Sequence, residues 1–185
     1  MSLRSVSVAL CAGLLLATLT ASADQRAPGL DLLFERLKAS TNLLEARQVE
    51  LAIWRLWLEH DDPEVNRLMR DGLVAMSERN LDQALADFTQ VVALAPGFAE
   101  GWNKRATVYY LRDQLNASMR DIQRTLALEP RHFGALSGMG LIFMERGDDV
   151  AALHAYQEVL KLYPQSLAAR LHIEYLQKKI RDSAI

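Results

Sequence analysis

Three prolines, Pro96, Pro130 and Pro164, stand 34 residues apart in a chain of 185. A fixed period of that length makes the chain a series of one repeated unit, which limits the fold more than any local motif does. The contexts agree: VVALAPGFAE, TLALEPRHFG and EVLKLYPQSL each run an apolar helical pattern into a proline. Proline cannot continue a helix and turns the residue before it away from helical backbone, so each marks a helix end.

Counting back in the same register gives matched helix pairs. Leu68, Trp102 and Leu136 share one position, Gly72, Ala106 and Gly140 a second, and Ala75, Tyr109 and Phe143 a third. In the second helix of each pair the sets are Ala84, Ser118 and Ala152, then Phe88, Ile122 and Tyr156, then Val91, Thr125 and Val159. Spacings of four and three put Trp102, Ala106 and Tyr109 on one helical stripe, with the small residue admitting a neighbouring helix.

These recurring small, aromatic and proline positions resemble the tetratricopeptide repeat (TPR) family over Val65 to Pro164, with units at residues 65–98, 99–132 and 133–166. Leu68 and Ala75 replace the usual large aromatics, and Ser118 replaces alanine. The resemblance implies an all-α fold, a right-handed superhelical stack of helix hairpins. Upstream, residues 30–63 read as a degenerate, TPR-like hairpin with Ile53, Trp54, Trp57 and Leu58 on one apolar face, expected to cover the open end of the stack. Downstream, residues 167–182 read as a capping helix, with Leu167, Leu171, Ile173 and Leu176 inward and Arg170, Glu174, Gln177 and Lys178 outward.

In GWNKRATVYY, residues 101–110, the stripe next to Trp102, Ala106 and Tyr109 is Asn103, Thr107 and Tyr110, one step of about 100° around the helix. In the TPR family the first helix of each pair lines a concave groove, and the resemblance implies that these three face it. Their equivalents are Met69, Leu73 and Met76 in the first unit and Ser137, Leu141 and Met144 in the third. Arg70 and Lys104 lie beside the stripe, and Arg131 and His132 follow the second proline at its rim. Some TPR domains grip a partner's terminal carboxylate with such Lys, Arg and Asn side chains. Arg70, Asn103 and Lys104 supply the residue types, although Gly138 stands where a third-unit cation would help. The alternative is that Lys104 and Arg105 simply solvate a helix edge.

Other chemistry finds little support. Net charge is −2 and pI about 6.1, without the basic excess of a dedicated nucleic-acid binder, so no nucleic-acid partner is expected. His60, His132, His154 and His172 show no metal-binding pairing, and carboxylates such as Glu45, Glu50 and Glu59 follow helix surfaces. The glycines of FGALSGMG follow a helix-ending proline rather than a strand, unlike a dinucleotide loop. Asn116-Ala117-Ser118 matches a glycosylation triplet but falls at a helix start. No catalytic, metal or cofactor site is expected, and the chain reads as a non-enzyme.

Residues 1–23 carry one early charge, Arg4, an apolar run over Val6–Leu19 and the small terminus Ala21-Ser22-Ala23, the pattern of a cleaved secretory signal. The run is short of the roughly 20 residues that span a bilayer, so no stable anchor is expected after cleavage. Cys11, the only cysteine, leaves with it. Residues 24–29, with Pro28 and Gly29, are expected to form a flexible leader. The expectation is an exported, periplasmic module that binds a partner peptide or helix in its groove, as a scaffold or assembly factor of the cell envelope. The alternative is a structural homodimer joined through the Trp54/Trp57 hairpin.

Overall fold

The computed structural model describes residues 29–183, so the signal segment and nearly all of the leader lie outside the described residues. Those described form nine helices and no strand: α1 (Leu30–Ala39), α2 (Leu43–Leu58), α3 (Pro63–Ser77), α4 (Leu81–Leu94), α5 (Ala99–Leu111), α6 (Leu115–Leu128), α7 (Phe133–Glu145), α8 (Asp149–Leu162) and α9 (Leu167–Ser183). Each of α3/α4, α5/α6 and α7/α8 is a hairpin, and the hairpins stack in chain order.

The period reappears in backbone chemistry. Within the hairpins, Arg79, Asp113 and Gly147 take left-handed φ values of 61°, 58° and 72°, each 34 residues from the next. Only the third turn has the glycine for which that conformation carries no steric cost. Between the hairpins, the amides of Phe98, His132 and Ser166 donate to the carbonyls of Ala95, Glu129 and Tyr163 at 2.9–3.1 Å, forming the same turn around each proline.

Packing within a hairpin follows volume complementarity. A Cβ on Gly72 would lie 2.8 Å from the Phe88 ring, and one on Gly140 would lie 2.8 Å from Tyr156. The second unit trades the pair for Ala106 and Ile122, a larger residue against a smaller one. Ser118, at the position of Ala84 and Ala152, donates its hydroxyl to the Ala106 carbonyl at 2.8 Å, so this buried polar group is satisfied.

Trp102 and Tyr109 are only half-buried. The Arg105 guanidinium lies 4.8 Å from the Trp102 ring centre and 5.7 Å from that of Tyr109, and Trp102 donates its indole N–H to the Pro96 carbonyl. Two bonds of 2.7 and 2.9 Å to Asp121 hold Arg105 in place. Arg105 therefore covers the stripe instead of solvating an edge.

The N-terminal hairpin does not cover the end of the stack ahead of the first unit. Its apolar face, Leu30, Phe34, Leu37, Val49, Ile53 and Trp57, shares one core with Phe133, Tyr156, Tyr163 and Leu176 of the third unit and α9. α2 runs back along the row of proline turns: the Tyr163 hydroxyl donates to Glu50 at 3.2 Å, Trp54 meets Phe133 edge-on, and His60 packs on Phe98. Those turns present the aromatic side chains that the hairpin covers, and Leu58, at the end of α2, packs against the core of the first unit. Burial and the neighbouring Glu50 carboxylate push the Tyr163 hydroxyl up to about 12.

α9 also differs from expectation. Leu167 and Leu171 are 59% and 57% exposed, and the inward face is Ala169, the expected Ile173 and Leu176, and the His172 ring, which stacks 4.4 Å over Tyr156. In the repeat register Glu174 falls where Gly72, Ala106 and Gly140 admit a second helix, and it lies exposed.

Gly140→Ala is expected to cost about 1–3 kcal/mol by overpacking. Gly140→Ala/Tyr156→Ile, which copies the second unit, should cost less than the two single changes summed. Tyr156→Phe, which copies Phe88 and removes a buried hydroxyl that has no hydrogen-bond partner among the described residues, should leave stability unchanged or raise it by up to about 1 kcal/mol. Urea unfolding of these variants checks all three.

Candidate functional site

The first helices of the second and third units, α5 and α7, flank a cavity of about 190 Å³. Asn103, Thr107 and Tyr110 line it from α5, and Gly134, Ser137, Gly138 and Leu141 from α7, with Ala106, Ser118 and Ile122 beneath. Five of the residues singled out by register thus converge on one pocket. Its polar groups are largely committed within the protein. Thr107 donates to the Asn103 carbonyl at 2.9 Å and Ser137 to the Phe133 carbonyl at 2.8 Å, both one turn back on their own helices. Tyr110 donates to Glu145 at 3.3 Å, and burial with that carboxylate raises its pKa.

The remaining predicted residues lie elsewhere. Met69 is 2% exposed in the core of the first unit and cannot meet a partner. Leu73 and Met76 are half-buried against that same core, Met144 against the core of the third unit, and Arg70 is exposed on α3. Arg131 is folded over the Phe34 ring at 4.4 Å and paired with Glu129 and Asp31 at 2.9 and 2.6 Å. It fastens α1 to the stack rather than orienting a ligand.

Lys104 and His132 are likewise withdrawn, by Glu100. Glu100 Oε2 accepts from Asn103 Nδ2 at 2.9 Å and from His132 Nε2 at 2.8 Å, and its Oε1 pairs with Lys104 Nζ at 2.9 Å. His132 Nδ1 accepts the Ala135 amide at 3.1 Å, which places the ring proton on Nε2, facing the carboxylate. Glu100 and His132 are 1% and 0% exposed, so neither reaches solvent or a partner. Burial by itself would raise the Glu100 pKa; the Lys104 charge and the His132 hydrogen bond outweigh it and hold the carboxyl below its ordinary value.

The N-terminal hairpin closes over this network. Trp57 stacks on His132, with ring centres 4.1 Å apart and planes 7° from parallel. Trp54 meets the same histidine edge-on and lies 5.1 Å under the Lys104 ammonium. A Cβ on Gly134 would stand 2.6 Å from the Trp54 ring, so this glycine is what seats the indole at one end of the pocket. Trp57 is 1% exposed. Trp57 serves the chain's own third unit and offers no surface to a second copy, while Trp54 packs on the same unit and stays part-exposed.

Register alone missed Glu100 and did not bring Trp54 to this site. Glu100 had one available signal: it precedes Asn103 by three and Lys104 by four, the spacing at which helical side chains meet. Among the described residues, no group of three or more His, Asp or Glu side chains could hold a metal ion, and no helix is long and apolar enough to cross a membrane.

Because the folded-state value of Glu100 is depressed, its contribution is complete above the unfolded carboxyl value of about 4.3 and is lost as pH falls through the folded value. Glu100→Gln should be less stable than wild type at pH 7 and should lose less stability on acidification from pH 5 to 3. Urea midpoints across that interval measure this, and equal losses in both proteins would contradict the assignment. Glu100→Ala, which strands Lys104 and His132, should cost roughly 3–5 kcal/mol.

Comparison with known proteins agrees with this architecture. The tetratricopeptide repeat profile matches residues 135–166. A TPR repeat-containing protein of Rhizobium etli is 35% identical over 151 residues, 82% of this chain and 74% of the relative. The Sgt2 TPR domain of Aspergillus fumigatus superposes with a TM-score of 0.62 at 24% identity, covering 66% of this chain and 83% of that domain. The first TPR domain of Spaghetti (RPAP3), solved with the HSP90 peptide SRMEEVD, gives 0.62 at 19% identity over 65% and 96% of the two chains. At those identities the two structures speak for the fold alone. The repeat register, the stacked hairpins and the Rhizobium relative together place the chain in the tetratricopeptide repeat family.

Proposed function

We propose that this chain is a non-enzymatic interaction module whose concave wall, between the second and third units, receives a segment of a partner protein. The observation that carries the reading is the cavity between α5 and α7, where Asn103, Thr107, Tyr110, Ser137 and Leu141 converge while their neighbours are occupied internally. A peptide held by the RPAP3 domain supports the same use of the fold. The signal-like pattern of residues 1–23 supports work outside the cytoplasm, as a periplasmic scaffold or assembly factor of the cell envelope.

Two variants test the site. Gly138→Leu fills the cavity from a helix position where a Cβ meets only the end of Ile122 at 3.3 Å, and Leu141→Lys puts a charge at its lip. Crosslinking and affinity capture from envelope extract should recover partners with wild type and lose them about tenfold with either variant. Partners held equally by all three proteins would refute the groove. For export, the protein purified from periplasm should begin at Asp24; an intact Met1 there would overturn the signal reading.

A further inference from the structure

We infer that the pocket selects an uncharged apolar side chain from within a partner segment, not an acidic or carboxylate end, and that the segment continues over Leu171 and Tyr175 of α9. This rests on the groove reading above and names what the groove takes.

The charge pattern argues first. A carboxylate would need groove cations, and two of those that the sequence offered are already spent: Lys104 on Glu100, Arg131 on Glu129 and Asp31. Arg70 stands on α3, a unit away from the pocket. The ionised group nearest the Tyr110 rim is the Glu145 carboxylate, which would repel an acid.

The pocket's own chemistry argues next. Thr107, Ser137 and Tyr110 have committed their hydroxyl protons, and Asn103 has given an N–H to Glu100. A charged ligand group would lose water there and gain few donors in return. The beds of Gly134, Gly138 and Ala106 instead leave room for a side chain. About 190 Å³ lies below the roughly 300–1,000 Å³ of cofactor and drug sites, and suits a leucine-sized group.

The third argument is register. Adding 34 to Ser137 and Leu141 gives Leu171 and Tyr175, which carries the groove-facing stripe onto α9. Both are more than half exposed, at 57% and 54%. The wall therefore spans one helix more than the three units. Helix spacings of 8–10 Å put Leu171 roughly 12–15 Å from the pocket, about four residues of extended chain.

The test uses methyl-labelled full-length protein and two peptides. One is acetylated and amidated Leu-Ser-Ser-Ser-Leu, uncharged with its leucines four apart. The other is acetyl-Met-Glu-Glu-Val-Asp with a free C-terminus. The first should shift the methyl signals of Thr107, Ile122, Leu141 and Leu171 together and saturably, and Gly138→Leu should abolish the shifts. The acidic peptide should bind at least about tenfold more weakly. Equal or tighter binding of the acidic peptide overturns the inference, as does an uncharged peptide that moves none of these methyls. If the uncharged peptide fails while Gly138→Leu still loses the envelope partners, the groove stands and only the ligand class falls. If capture is also indifferent to Gly138→Leu, both readings fall.

Discussion

A carboxylate removed from water must find hydrogen-bond donors and countercharge, and the Glu100 carboxylate finds three partners on two elements. Asn103 and Lys104 are its neighbours one turn on, and His132 comes from the turn that begins the third unit. By fixing the imidazole tautomer and plane, Glu100 creates the flat surface on which Trp57 stacks. By pairing with Lys104, it removes a positive charge from the concave wall. The joint between two units, the seat of the N-terminal hairpin and the electrical character of the groove therefore share a single buried acid.

The hairpin seated there changes what kind of solenoid this is. In a simple repeat array each unit touches only its neighbours, and stability is close to a sum of local contributions. Here α2 and His60 just beyond it touch the turns after the first, second and third units. Bonds from Tyr163 to Glu50 and from Gln165 to the Ser40 carbonyl join residues 113 and 125 apart. Such a strut ties together the turns that flank the second and third units.

Much of this was legible from the sequence, and what was not has a physical cause. The hairpins announce themselves because each needs a small residue opposite a large one and a helix stop, and these recur at a fixed interval from Gly72 and Phe88 to Gly140 and Tyr156. The pocket lining on Asn103, Thr107, Ser137 and Leu141 follows from the same register. The destination of the N-terminal hairpin does not. Ile53 and Trp57 declare an apolar face, but an amphipathic helix states only that it will be covered, not by what. The spacing of Glu100 to Asn103 and Lys104 was readable, but its burial was not, for a related reason: an acid on a helix surface and an acid under a tryptophan have the same letter. Arg131 and His132 looked available because their proline turn looked like a rim, and it is a rim that another helix occupies. On α9, Leu167 and Leu171 were placed inward by apolar character alone, whereas Ala169 and His172 fit closer against Tyr156.

The position of the strut also sets the order in which the chain can bury itself. α1 and α2 precede the other described helices, yet the groups that shelter them, His132, Phe133, Tyr163 and Leu176, lie far along the chain. Adjacent hairpins such as α3 and α4 collapse on contacts close in sequence, while the leading pair must wait for most of the chain. Throughout that interval Trp57 and Ile53 remain wet. A chain cut short before His132 leaves that face of Trp57 bare, the kind of sticky fragment that quality-control proteases and holdases recognise.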